Sequence, residues 1–112
     1  MDDFITLKKY GETFKVRPVF SNYMVNSGLA LTLIGSDHIP FGTVTVNLID
    51  EVPTDDFCAF IDTNNMGLEI VEWLEKNDFG ERTGKIGCSG FCSYPEFRFN
   101  PVIVKLYKLE EG

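Results

Sequence analysis

Phe57-Cys58-Ala59-Phe60-Ile61, followed closely by Gly67-Leu68-Glu69-Ile70-Val71-Glu72-Trp73-Leu74-Glu75-Lys76-Asn77, decides the fold class. The first run is wholly apolar, which marks a central strand that continues the sheet. In the second, Ile70, Val71, Trp73 and Leu74 recur at helical spacing, and Glu69, Glu72, Glu75 and Lys76 take the other side. Asn64 or Asn65 suits the N-cap of this helix, and Asn77 to Gly80 its close. Glu72 and Lys76 stand four apart in the favourable order, a pairing of about 0.2–0.5 kcal/mol. Such a helix lies across a sheet and closes its core.

Upstream, Thr13-Phe-Lys-Val-Arg17, Leu29-Ala-Leu-Thr-Leu-Ile34 and Thr43-Val-Thr-Val-Asn-Leu48 read as antiparallel strands. Val44, Val46 and Leu48 fall on one face, and Thr43, Thr45 and Asn47 on a second, wet face. Downstream, the glycine-rich stretch from Gly80 to Pro95 begins as a loop and becomes strand around Phe91. Tyr94-Pro95 suggests a bend. Val102-Ile-Val-Lys-Leu-Tyr107 is β-branched and reads as a terminal strand opened by Pro101. The expectation is an α+β fold, one domain over residues 1–112, with an antiparallel β-sheet of about five to six strands packed by one α-helix. A chain of 112 residues supports one core.

Charge is concentrated. Residues 50–81 hold Asp50, Glu51, Asp55, Asp56, Asp62, Glu69, Glu72, Glu75, Asp78 and Glu81 against Lys76 alone, giving that window −9 in a chain of −7. Phosphate binding draws on clustered cations, and the ten Lys and Arg here are scattered beneath seventeen acids, which argues against direct nucleic-acid binding. A local negative field instead attracts cationic partners. Duplex DNA carries one charge per roughly 1.7 Å, so ten carboxylates match about 17 Å of duplex and fit on one face of a domain this size. A solvated, solubilising acidic surface is the plainer reading.

Catalytic and metal motifs are weak. His38, the single histidine, sits in the turn-like Gly35-Ser-Asp-His-Ile-Pro40, and nothing in the sequence brings it to a thiol. Cys88-Ser-Gly-Phe-Cys92 has a spacing that zinc sites use, without a second paired half; on a strand the two thiols would share a face. Gly80-Glu-Arg-Thr-Gly84-Lys85-Ile86 fails the phosphate-loop pattern in its spacing and in the residue after lysine. Asp50-Glu51 and Asp55-Asp56 flank Val52-Pro53-Thr54 without the order of acids or the glycine of a calcium loop. No metal or cofactor is expected, and no enzymatic activity. Apolar runs are too short to span a bilayer, the Met1-Asp2-Asp3 opening lacks a basic region, and the odd cysteine count suits free thiols. A cytoplasmic, unprocessed protein without a membrane partner follows as an expectation.

The segment Thr83-Gly-Lys-Ile-Gly-Cys-Ser-Gly-Phe-Cys-Ser-Tyr-Pro-Glu-Phe-Arg-Phe99, with the helix before it, resembles a family of short bacterial proteins known only as a domain of unknown function. The resemblance covers roughly residues 57 to 100, with Ser89-Gly-Phe-Cys-Ser-Tyr-Pro-Glu-Phe97 at its core. It implies cargo of conjugative elements and phages, a setting in which small acidic proteins inhibit host defence. The implied partner is a basic protein surface, that of a Cas9-type effector, whose arginines and basic channel suit carboxylates. Asp55, Asp56, Asp62, Glu69, Glu72, Glu75, Tyr94 and Glu96 are the candidate partner-binding residues. Phe91 and Phe99 are expected to pack the sheet edge, whereas Tyr94, Glu96 and Arg98 combine aromatic area and charge as exposed contacts. An accessory protein of conjugation or phage replication, or a small cysteine-based metal module, are the alternatives.

Overall fold

A computed structural model describes residues 4–9, 11–23, 28–48 and 50–108; the Met1-Asp2-Asp3 opening lies outside them. One four-stranded antiparallel sheet runs in the order β1 (Ile5–Lys9), β2 (Glu12–Asn22), β3 (Leu29–Gly35) and β4 (Pro40–Thr43). A second is built from β5 (Thr45–Val46), β6 (Cys58–Ile61), β7 (Gly80–Ser89) and β8 (Cys92–Phe99), in the order β5-β6-β8-β7. Among the described residues the single sheet of five to six strands expected from sequence is therefore two sheets, and the one helix expected is three short ones: α1 (Thr63–Met66), α2 (Glu69–Lys76) and α3 (Pro101–Leu106).

Val44 is the hinge between the sheets. Thr43 pairs with Thr32 in the first sheet and Thr45 with Ile61 in the second. Between them the Val44 N–H donates to Leu31 O at 2.8 Å, and Val44 O accepts from the Asp62 N–H at 2.7 Å. One stretch of chain thus switches sheets at a corner, as strands do where two sheets pack at an angle. This overturns the wet face proposed for Thr43, Thr45 and Asn47 in one respect: Thr45 is buried. Its hydroxyl accepts the Leu31 N–H at 3.1 Å and bonds the Tyr23 hydroxyl at 2.9 Å, filling the gap that the corner opens in the ladder. Burial, and the charge of Asp62, push the Tyr23 phenol above its usual range against the lowering bond from Thr45.

The second sheet is covered on both faces around β6. Ala59, Ile61, Phe97 and Phe99 join the main core with Val16, Phe20, Leu31 and Leu33 of the first sheet. Cys58 and Phe60 alternate to the opposite face and are buried there, Phe60 with Leu48 around Gly87, which explains why the run from Cys58 reads as apolar throughout. Gly87 is needed here: a Cβ on it would stand 2.6 Å from a Phe60 ring carbon and 2.8 Å from a Leu48 methyl.

Helix α2 sits where sequence placed it and buries Ile70, Val71 and Leu74. Its predicted cap differs. Asn64 and Asn65 belong to α1, which Asp62 caps by accepting the Asn65 N–H at 3.3 Å. The terminal strand expected over Val102–Tyr107 is instead α3: Asn100 accepts the Val102 N–H at 3.0 Å as N-cap, and Pro101 occupies the first turn. An N-cap followed by proline outweighs the strand preference of Val-Ile-Val. The helix returns the chain to β2, where the Phe20 N–H donates to Tyr107 O at 2.9 Å. Among the described residues no helix is long and apolar enough to cross a membrane.

Candidate functional site

The acidic block is spread over several elements. Asp55 and Asp62 flank β6 at its two ends, and Glu69, Glu72 and Glu75 lie on α2. The buried strand β6 lies between Asp56 and Asp62 in the chain.

Internal bonds engage several of the candidates. Asp55 is exposed and meets Arg98 through both Nε and Nη2 at 3.2 Å. The Phe57 N–H, the Cys58 thiol and then Arg98 hold its carboxyl below the ordinary carboxylate range. Asp62 is spent on the α1 cap, with Oδ2 accepting from Asn65 Nδ2 at 2.7 Å. Glu75 pairs with Arg82 of β7 at 3.0 Å. The half-buried Tyr94 accepts at its hydroxyl from Asn64 Nδ2 at 3.2 Å. Among the described residues no ion pair or side-chain hydrogen bond engages the exposed Asp56, Glu69 or Glu72.

Glu96 requires a correction. Expected as an exposed contact, it is fully buried, because the loop before β6 folds over its face of the sheet. Its carboxylate accepts the Thr54 N–H at 2.8 Å and the hydroxyls of Thr54 and Thr83 at 2.7 Å each. Burial works to raise its pKa, yet the Thr83 and Thr54 bonds, with help from the Lys85 charge, hold it below the usual value. Lys85 adds a second tie to the same loop by donating to Val52 O at 2.6 Å. Glu96 is a clamp for the loop over residues 52–54, and no partner can reach it.

The motif that carries the family resemblance forms the β7–β8 hairpin. Ser89 pairs with Cys92, and Gly90 at φ +62° occupies the first turn position, with Phe91 next. Glycine at that place is what a type II′ turn requires. Phe91 is thereby displayed at the tip, fully exposed, whereas Phe99 is buried as expected. β8 continues through Tyr94-Pro95 without a break. Cys88 faces Ser93 and Cys92 faces Ser89 in adjacent cross-strand pairs, so the two thiols point to opposite faces of the hairpin. The same-face expectation fails because the two-residue turn, and not a straight strand, lies between them. Cys58 is buried, which pushes its thiol up to about 11 with Asp55 adding to the shift.

A groove of about 1260 Å³ runs between β1 and the α1–α2 segment. Glu69, Glu72 and Glu75 line one wall, and Lys8 and Lys9 the other. Trp73 spans it: its indole N–H donates to Thr6 O at 2.8 Å. Lys9 is committed within the fold, donating to Asn65 O at 3.4 Å and lying 5.9 Å from the Phe41 ring centroid. Sequence reading singled out the helix wall and missed β1. The alternation of Ile5, Leu7 and Lys9 against Thr6 and Lys8 was the available signal, weakened because lysine takes a place on the inner face.

A family described as a domain of unknown function (DUF4313) matches residues 19–111. No curated protein matches the chain, and no solved structure does.

Proposed function

We propose that this chain, which belongs to the DUF4313 family, is a binding protein that docks a cationic surface of another protein through α2. The observation that carries this reading is the pair Glu69 and Glu72: exposed, on a helix whose opposite side is locked into the core, and free of partners among the described residues. Carboxylates on a rigid element keep their geometry on binding and act over several ångströms to steer an approaching partner. Asp56 is the remaining unengaged candidate, on the loop at the far end of β6.

The target class we assign is a defence nuclease of the Cas9 type, encountered in the bacterial cell by a protein carried on a mobile element. Its support is the sequence resemblance together with the fit between exposed carboxylates and an arginine-lined nucleic-acid channel. Inhibition of DNA cleavage by a Cas9-type nuclease, measured with increasing protein at low and at high salt, tests it. Dose-dependent inhibition that weakens as salt rises supports the reading, since exposed charges are screened over about 8 Å at physiological ionic strength. Cleavage that proceeds unchanged at every dose at low salt overturns the target.

A further inference from the structure

We infer that the outer edge of β7 over residues 86–89 pairs with the same edge of a second copy of this chain, antiparallel about a two-fold axis at Gly87. The inference goes beyond the docking role of α2 and concerns a different element.

The register of the hairpin fixes which groups face outward. Ser89 and Cys92 close the two-residue turn as a hydrogen-bonded pair, so Gly87 and Tyr94 form the next bonded pair. The pairs that alternate with them, Cys88 with Ser93 and Ile86 with Pro95, make no ladder bonds, and Pro95 has no N–H to offer in one. The N–H and C=O of Ile86 and of Cys88 therefore point away from β8. That side is the end of the sheet order, where no further strand pairs among the described residues. Both residues are exposed and, standing two apart, share one face.

Three of the four sheet edges carry a device against such pairing, and this one does not. β1 has Lys8 and Lys9, with the Trp73 indole on Thr6 O; β4 begins with Pro40; β5 is two residues long. On β7 the charges Glu81, Arg82 and Lys85 stop before Ile86, and residues 86–95 carry none except the buried Glu96 that follows them. A chain of net charge −7 repels its own copy, so an uncharged stretch is where two copies can meet. Symmetry then selects the register. With the axis at Gly87, Ile86 lies opposite the copy's Cys88, and Cys88 opposite the copy's Ile86, which gives two bonded pairs and so four hydrogen bonds. The same register sets Lys85 against Ser89, and no like charges face each other. An axis at Cys88 would set Ile86 against the turn residue Gly90 and lose a pair. A contact this short belongs to the weak, transient class, so the dimer depends on concentration.

Sedimentation equilibrium from micromolar to millimolar protein tests the association. The inference expects the wild type to dimerise and Ile86→Lys, which puts a charge on the edge, to remain monomeric with an unchanged unfolding midpoint. Added salt should strengthen the dimer, because it screens the repulsion between two acidic copies. A wild type that stays monomeric at millimolar concentration in high salt overturns the inference, and so does equal association of the wild type and a folded Ile86→Lys. The register is read with Ile86→Cys/Cys92→Ser, oxidised by diamide, which takes up the two thiol hydrogens as each disulfide forms. Facing Cα atoms in a bonded pair stand about 5.5 Å apart, within disulfide reach. Peptide mapping of the covalent dimer should find links chiefly between position 86 of one copy and position 88 of the other. A random mixture of 86–86, 88–88 and 86–88 links overturns the inference.

Discussion

The indole N–H of Trp73 donates to the Thr6 carbonyl at 2.8 Å and fastens α2 to the first strand of the chain. On the same helix Glu75 reaches Arg82 of β7, so α2 bridges the outer strands of both sheets. The two ties differ in strength. Trp73 also packs against Phe79 with ring centroids 5.5 Å apart and the rings tilted by 48°, whereas Glu75 and Arg82 form an exposed ion pair. Trp73→Ala should lower stability by about 2–4 kcal/mol and Arg82→Ala by less than about 1 kcal/mol, measured by urea unfolding. Comparable losses from both would show that the helix is held by charge.

Glu96 is the next test, because a buried carboxylate with three donors is costly to remove. Glu96→Ala leaves the Thr54 N–H and two hydroxyls without their acceptor and should destabilise by about 3 kcal/mol. Amide exchange at Thr54 should quicken with it. Retention of full stability would mean that the loop is held by other contacts.

The same residue sets an acid limit. Its folded pKa is depressed, so its contribution is complete above the ordinary glutamate value of about 4.3 and is lost as pH falls through the lower folded value. Asp55 is depressed as well and acts in the same direction. The wild type should therefore lose thermal stability more steeply than Glu96→Gln below about pH 4. Parallel slopes for the two proteins would contradict the assignment.

At the corner between the sheets, Thr45→Val keeps the shape and deletes the acceptor for the Leu31 N–H and the partner of Tyr23. A cost of about 1–3 kcal/mol is expected in chemical unfolding. Thr43→Val, on the exposed side of the same stretch, should be nearly neutral.

Gly87 admits no side chain. Gly87→Ala sets a methyl against Phe60 and Leu48, both buried, and should cost about 1–3 kcal/mol by overpacking. Gly84→Ala meets no atom within 4 Å but sits at φ +91°, so its cost is conformational alone. Thermal unfolding of the pair separates crowding from backbone strain.

Sequence patterns revealed the elements whose apolar periodicity comes from local packing: β3, β6 and α2 lie where alternation and helical spacing put them. They failed where a long-range contact decides the outcome. Nothing in Glu96 and its neighbours indicates that a loop some forty residues earlier will cover it. Likewise Val102–Tyr107 has strand-like residues, and only the Asn100-Pro101 start carries the helical signal. The carboxylates of residues 50–81 were legible as a charge, but their engagement was not, because linear density does not reveal that Asp55 meets Arg98, Asp62 caps α1 and Glu75 meets Arg82. Of the eight candidate residues, Asp56, Glu69 and Glu72 keep an exposed carboxylate free of other described groups.

The claim that α2 presents the docking carboxylates is tested most directly by the affinity of a purified Cas9-type effector for the wild type and for Glu69→Lys/Glu72→Lys, compared at low salt. Neither substitution touches a core contact or an ion pair, so the double variant should retain the unfolding midpoint of the wild type to within a few degrees. The account predicts that the wild type binds and that the reversal weakens binding at least tenfold, about 1.4 kcal/mol. Undiminished binding by a folded double variant would contradict it.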